Sequence, residues 1–336
     1  MTAVAWGLLS TARINRLVLA GARESEQVDV VAVASRDAHR ARANAHENGI
    51  ERAYGSYEAL LEDSGVEAVY IPLPNSMHVE WTLRALEAGK HVLCEKPFSR
   101  RAEEVVQAFE LAERASLVLS EGFMWRHHPQ AAKLAELAGE IGQLRVVRAA
   151  FGFQLAAVHG PEDARFRPEL DGGSLMDVGC YCVNAIRLLA GEPERVYAEQ
   201  VVGPSGVDVC VVATLRFPGD VVAHFDCGFV VDYRDELEVV GDQASLFVDD
   251  PFHIHSPGIE LRRDGDVRPV AVEPANSYRL ELENVSAAIR GEAPLVLGRE
   301  DAVCQARVLE ALYRSAEAGM PVDVQAPVPA HHGRHL

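Results

Sequence analysis

The sequence predicts an α/β chain of two domains. A doubly wound parallel sheet comes first, followed by an α+β domain on an antiparallel sheet with one core-facing side. Three observations lead there. Apolar strand-like runs alternate with helical stretches through the first third of the chain. From Leu144 onward, long runs alternate apolar and polar residues with period two. The 336 residues also exceed the size at which a single core stops growing. The pattern divides the chain into residues 1–122 and 123–336.

In order, Val4 to Leu9 is a short apolar strand, and helical sequence follows from Ala12 to about Ser25. Val28 to Ala34 is almost unbroken and β-branched, the mark of a strand buried on both faces. An Ala- and Arg-rich helix runs from Asp37 to Asn48 and ends at Gly49, and Ser56 opens a shorter one. After a strand from Ala68 to Leu73, Ser76 to Ala88 is amphipathic, with Val79, Leu83 and Leu86 on one side and Gly89 as C-cap. Strand His91–Cys94, helix Arg101–Arg114 and strand Leu117–Ser120 complete a set whose crossovers should be right-handed. A helix near Pro129–Ala138 precedes the second domain's strands. There Val207 to Phe217 and Val221 to Phe229 alternate around a Pro218-Gly219-Asp220 turn. Further helices read as Gly173 to Ala190, capped by Gly191, Tyr278 to Arg290, and Arg299 to Ala318, stopped by Gly319 and Pro321.

Composition excludes some functions. The formal charge of −18 argues against nucleic acid or an anionic membrane as partner. The N-terminus has no basic segment with an apolar stretch behind it, and no apolar run reaches the ~18 residues of a membrane helix. The six cysteines lie mostly in apolar segments, and Cys180 and Cys182 lack zinc-site spacing. Reduced thiols in a cytoplasmic protein without a bound metal are therefore expected. His331, His332 and His335 are read as part of a frayed terminus.

The chemistry concentrates at strand exits. The turn Gly7-Leu8-Leu9-Ser10-Thr11-Ala12-Arg13-Ile14-Asn15 keeps Ser10, Ala12 and Asn15 at the small positions of a dinucleotide-binding turn, although the glycines are gone. A pyrophosphate would sit near the helix start, where free N–H groups favour an anion; a plain tight turn is the alternative. Ser35 and Arg36 stand where an acidic residue would bind a ribose hydroxyl. A hydroxyl and a guanidinium suit a 2′-phosphate, hence NADP, unless Arg36 is merely solvated. Asp37 keeps NAD open. Leu73, Pro74 and Asn75 form an extended exit into the next helix, which Asn75 or Ser76 can cap. His78 then faces the nicotinamide or stands on the surface. Glu95-Lys96-Pro97 places a lysine at a strand exit, and Asp177 and Tyr181, four apart on a helix, share one face.

These residues resemble the glucose–fructose oxidoreductase / inositol dehydrogenase (Gfo/Idh/MocA) family over nearly the whole chain. The resemblance rests on Ser10 to Ile14, Pro74-Asn75 with His78, Glu95-Lys96-Pro97, Glu121 to Arg126, and Gly172-Gly173 through Asp177-Val178-Gly179-Cys180-Tyr181. The nearest likeness is to the branch of NADP-linked D-xylose dehydrogenases and dimeric dihydrodiol dehydrogenases. It implies that Lys96 reaches a substrate carbinol, that the following peptide is often cis, and that Trp125 and Arg126 close over the nicotinamide side. A C-terminal α+β domain on a large, mostly antiparallel open sheet, a small-molecule sugar or polyol as substrate, and a homodimer or homotetramer through that sheet are implied as well. Tyr181 stands where the family commonly has histidine.

From residue types, a free tyrosine titrates near 10 and a lysine near 10.4, so neither is a good base unaided. Lys96⁺ beside the phenol should lower the tyrosine, and burial should lower the lysine. Tyr181 is then the acid/base and Lys96 its electrostatic partner, with the reverse assignment open. Asp177 would accept a sugar hydroxyl or orient Lys96. Arg165 and Arg167 read as surface residues or as sugar contacts, and Phe151, Phe153 and His159 as cleft or core residues. Glu281 and Asn284 are equivocal. The rival readings are an NAD-dependent glycoside hydrolase on the same scaffold and a non-catalytic dinucleotide sensor.

Overall fold

The computed structural model describes residues 2–324, and two sheets organise them. Strands β1 (Val4–Leu9), β2 (Val28–Ala34), β3 (Arg52–Tyr54), β4 (Ala68–Ile71), β5 (His91–Glu95) and β6 (Leu119–Gly122) form a parallel sheet in the order β3-β2-β1-β4-β5-β6. Helices α1 (Asn15–Arg23), α2 (Ala38–Asn48), α3 (Tyr57–Leu61), α4 (His78–Glu87) and α5 (Ala102–Ala115) make the crossovers. Strand order reverses between β1 and β4, and a crevice outside their C-terminal ends is where such sheets bind ligands. Helix starts follow local chemistry: Asp37 caps α2 and Ser56 caps α3 through their side-chain oxygens. Helix α1 begins at Asn15 rather than Ala12, because Ser10 to Ile14 form a tight loop.

The second sheet joins β7 (Leu144–Gln154), β8 (Arg195–Val202), β9 (Asp208–Arg216), β10 (Val222–Gly228), β11 (Val230–Gly241), β12 (Ser245–Asp249), β13 (Ile259–Arg263), β14 (Asp266–Val270) and β15 (Val322–Asp323). Their order is β14-β13-β12-β11-β7-β10-β9-β8-β15, antiparallel except for the β7–β10 pair. Helices α6 (Pro129–Ala138), α7 (Leu155–His159), α8 (Cys180–Ala190), α9 (Ser277–Ile289) and α10 (Arg299–Ala318) complete the chain. Val211, Ala213 and Leu215 of β9, with Ala223, Phe225 and Cys227 of β10, are buried in one core with Val183 and Ile186 of α8 and Leu309 and Leu312 of α10. The alternate residues His224 and Thr214 pair on the opposite face, as period two requires.

Two departures position the site. The helix expected from Gly173 to Ala190 is broken into a π turn, Leu175–Gly179, and α8. A Cβ at Gly179 would lie 2.7 Å from Cys227 Sγ, so glycine lets this turn press onto β10. Buried Asp208 fixes its start, accepting from Ser174 Oγ and from the Leu175 amide, each at 2.8 Å. Helix α9 returns to the first sheet, where Leu282 and Val285 pack with Trp6, Val18 and Leu19. Trp6 Nε1 donates to Ser286 Oγ there at 3.2 Å. The tail histidines 331, 332 and 335 lie outside the described residues.

Candidate active site

A cleft of about 1240 Å³ lies between the two sheets' domains and reaches the exits of β1, β2, β4 and β5. Ser10 to Ile14 line one part of it. Ser10 has φ 153°, a conformation that favours glycine. Side chains hold the loop instead: Ser10 Oγ accepts from the Ala12 amide at 3.2 Å, and Asn15 Nδ2 donates to the Ser10 carbonyl at 2.7 Å. Among the described residues no acceptor meets the N–H groups of Arg13 and Ile14, which leaves donors for an anion at the start of α1. Ser35 and Arg36 follow β2, and Arg40 joins them from the first turn of α2. Asp37 is engaged as the cap of α2: the Arg40 and His39 amides donate to it and hold its carboxyl below the usual range. Two guanidiniums and a hydroxyl at this corner fit a 2′-phosphate better than a bare ribose.

Across the cleft, Glu95, Lys96 and Pro97 leave β5, and the Lys96–Pro97 peptide is cis. The loop is pinned from behind. The Phe98 amide donates to Glu121 Oε1 at 2.7 Å, and Tyr70 O–H to Glu95 Oε1 at 2.5 Å. Lys96 Nζ donates to the Asp177 carbonyl at 2.8 Å and to Oδ1 at 3.2 Å. Arg165 Nη1 donates to the other oxygen, Oδ2, at 2.9 Å, and Arg165 is itself paired with Asp163 at 2.9 Å. The ammonium sits 4.8 Å from the Tyr181 ring centroid. That ring meets Phe123, Phe151 and Phe252 at 5.5, 5.6 and 5.4 Å, and among the described residues its O–H reaches only Met124 Sδ, at 3.5 Å.

The electrostatics differ from those expected. Burial pulls Lys96 down, but the facing Asp177 carboxylate, with Glu95 behind it, outweighs this, and the ammonium is held above its ordinary value. Burial alone would raise Asp177, yet Lys96 and Arg165 keep it below the carboxylate range. Burial pushes the Tyr181 phenol well up, and Tyr278 and Glu95 add to it. Both expected shifts, Tyr181 down by the lysine's charge and Lys96 down by burial, are thus reversed: the ammonium lies over the ring, and Asp177 claims its charge. Cys180, next to this group, is pushed up to about 12 by burial, so it offers no thiolate near neutral pH.

Leu73, Pro74, Asn75, His78, Glu95, Lys96, Asp177 and Tyr181 all border the cleft. Three of the expected placements need correction. His78 neither faces the nicotinamide as a free group nor stands on the surface. It is fully buried, its ring nitrogens against the Pro97 and Leu73 carbonyls at 2.9 and 2.8 Å, so it ties two cleft loops together. Asn75 caps no helix; its Nδ2 crosses to the Asp171 carbonyl at 2.8 Å. Trp125 and Arg126 do not line the cleft: Trp125 is buried against Phe252, and Arg126 pairs with Asp301 at 3.4 Å. Conversely, Arg165 is a cleft residue rather than a surface one, whereas Arg167 is half exposed and reaches only Glu162, at 3.9 Å. Phe151, Phe153 and His159 border the cleft; Glu281 is buried, and Asn284 binds the Pro294 carbonyl. Sequence reasoning missed Tyr233, His253 and Tyr278, which come from β11, the loop after β12 and α9. No local pattern links them. Arg40 could have been found, since it lies in the first turn of the helix that Asp37 caps, just after Ser35 and Arg36.

A dinucleotide-type sheet facing an α+β domain, with a lysine–aspartate pair where they meet, defines a two-domain oxidoreductase. The comparisons agree. A family model described as "Oxidoreductase family, NAD-binding Rossmann fold" matches residues 6–123, and the "GFO/IDH/MocA C-terminal domain" matches residues 130–247. The chain is 39% identical to a D-xylose 1-dehydrogenase (NADP(+)) of Haloferax volcanii, over 95% of this chain and 99% of that one. It is 33% identical to a trans-1,2-dihydrobenzene-1,2-diol dehydrogenase of Danio rerio, over 76% of each. The crystal structure of a 3-ketoreductase from Actinomadura kijaniata with NADP and TDP-benzene superposes with TM-score 0.87 at 30% identity, covering 93% of this chain and 98% of that one. The chain belongs to the GFO/IDH/MocA family of oxidoreductases.

Proposed function

We propose that this protein is an NADP(H)-dependent dehydrogenase/reductase acting on a carbinol or carbonyl carbon of a sugar or cyclic polyol. One observation carries the reading most: Lys96, anchored on Asp177, lies over the Tyr181 ring in the same cleft that Ser35, Arg36 and Arg40 border. Ser10 to Ile14 would hold the pyrophosphate, and Ser35, Arg36 and Arg40 the 2′-phosphate. A nicotinamide bound there supplies or accepts the hydride.

The chain's own residues manage the proton. Lys96 spends two of its three N–H donors on Asp177, which leaves one for a substrate oxygen. Because its charge is stabilised, Lys96 acts as a fixed cation toward a developing alkoxide. Tyr181 keeps its proton and, among the described residues, has only a thioether partner, so its O–H is free to donate to that oxygen in reduction. Asp177 positions the lysine and, through Arg165 and Asp163, is itself held in place. Aromatic rings around Tyr181 exclude water from the exchange.

The relatives are named as dehydrogenases and reductases, which favours this reading over a glycosidase or a sensor. We also place the protein in the cytoplasm: its six cysteines are unpaired, and no described helix is long and apolar enough to cross a membrane. A homodimer or homotetramer through the outer face of the second sheet, where Val212 and Val230 are exposed, completes the proposal. NADPH formation is to be measured against a panel of aldoses, inositols and dihydrodiols. Net turnover with at least one supports the assignment, and a tightly held dinucleotide with no net reduction would overturn it.

A further inference from the structure

A second polar pair, Asp235 and His253, reaches the cleft through His253 and has no part in the proton chemistry above. Asp235 on β11 is 2% exposed, and its Oδ2 accepts from His253 Nδ1 at 3.2 Å and from the His253 amide at 3.4 Å. Its Oδ1 has no donor among the described residues. His253 is partly exposed and borders the cleft. Its ring stands edge-on to Phe151 at 5.3 Å, and Phe151 meets the Tyr181 ring at 5.6 Å. The imidazole and the Tyr181 ring therefore flank one phenylalanine, a separation that a sugar with its hydroxyls can bridge. A bulge in the β11–β7 pairing between Val230 and Arg234 re-aims this stretch, and Tyr233 borders the cleft beside it.

From this geometry we propose that His253 is a specificity-determining residue, taking a substrate hydroxyl remote from the carbon that is oxidised, with Asp235 as its positioning residue. The inference rests on the sugar or polyol reading above. A carboxylate only accepts, so it fixes the proton of the imidazole on Nδ1 and leaves Nε2 as an acceptor for an O–H. Burial of Asp235 without a second donor makes that tether costly to lose. A cation is the competing occupant, since ligand atoms of Asp235, Asp250 and His253 lie within 4.8 Å of one another. Asp250 is committed elsewhere: its oxygens accept from the amides of Ile254, His255 and Ser256, and an ion would have to displace them.

The test is steady-state oxidation of D-xylose and its singly deoxygenated analogues by the intact protein with NADP⁺, comparing wild type with H253F, H253Q and D235N. Loss of one hydrogen bond should raise the H253F KM for D-xylose about tenfold with kcat little changed. On one deoxy analogue wild type and H253F should have matching KM values, because the same bond is missing in both. H253Q, which retains an acceptor, should recover part of the affinity, and D235N should fall between. Equal KM values for H253F and wild type on D-xylose, a uniform loss across all analogues, or activity abolished by EDTA would each overturn the assignment. Wild type inert toward every aldose, inositol and dihydrodiol of the panel would instead sink the parent reading and this inference with it.

Discussion

At the scale of single residues, the cleft is a set of charges whose partners decide their roles. Lys96→Met removes the cation but leaves the Tyr181 ring in place, so kcat should fall by about 10³-fold. NADPH binding, followed by fluorescence quenching, should stay near wild type, and unchanged turnover would retire the lysine's role. Tyr181 and Lys96 are both held above their ordinary values, so both stay protonated across the neutral range. The reductive rate should then be flat from about pH 6 to about pH 9, while the oxidative rate, which needs the deprotonated phenol, rises about tenfold per pH unit. A bell centred near neutrality in both directions would contradict this. Arg36→Ala should raise KM for NADP⁺ by about 10- to 100-fold and leave NAD⁺ use unaffected, because a charge-assisted bond to a phosphate is lost. Sequence motifs singled out Lys96, Asp177 and Tyr181 because each lies in a short, recognisable pattern. They did not show that Asp177 divides its oxygens between Lys96 and Arg165, which depends on loops far apart in the chain.

Among the elements, the π turn at Leu175–Gly179 matters most, since it carries Asp177 toward Lys96. Its entry is Gly173, at φ 123°, where a Cβ would collide with the Asp208 carboxylate. Gly173→Ala should cost about 1–3 kcal/mol by thermal melting and lower kcat more than cofactor affinity, because the turn must shift before the charge can. A stable variant with normal kcat would show that the turn is tolerant. The strands and most helices were legible in sequence, since burial on both faces writes continuous apolar runs and caps carry their own signatures. The π turn was not, because Gly179 is small for the sake of Cys227 on another strand. Helix α9 was read correctly as a helix, but its destination on the first sheet depends on partners almost the whole chain away.

For the whole molecule, the loop carrying Lys96 is braced by a buried acid whose ionisation bears on global stability. Burial raises the Glu121 carboxyl from the ordinary 4.5 to about 8, with the Phe98 amide opposing. The folded state therefore keeps a proton that the unfolded chain has already released, and stability falls as pH rises from about 4.5 to about 8. Glu121→Gln can still accept from Phe98 but cannot ionise, so its melting temperature relative to wild type should climb across that window. A difference independent of pH would show that Glu121 ionises freely. By itself the sequence determined the α/β architecture and the order of most elements, and it singled out the lysine, aspartate and tyrosine that the fold brings together, because periodicity, caps and short motifs are properties of neighbours along the chain. Only the tertiary structure decided that His78 is a buried clasp, that Trp125 and Arg126 stand outside the cleft, and that Arg165 and His253 border it. Those outcomes depend on which distant strands and loops converge, and on which charge is left with a free partner once they do.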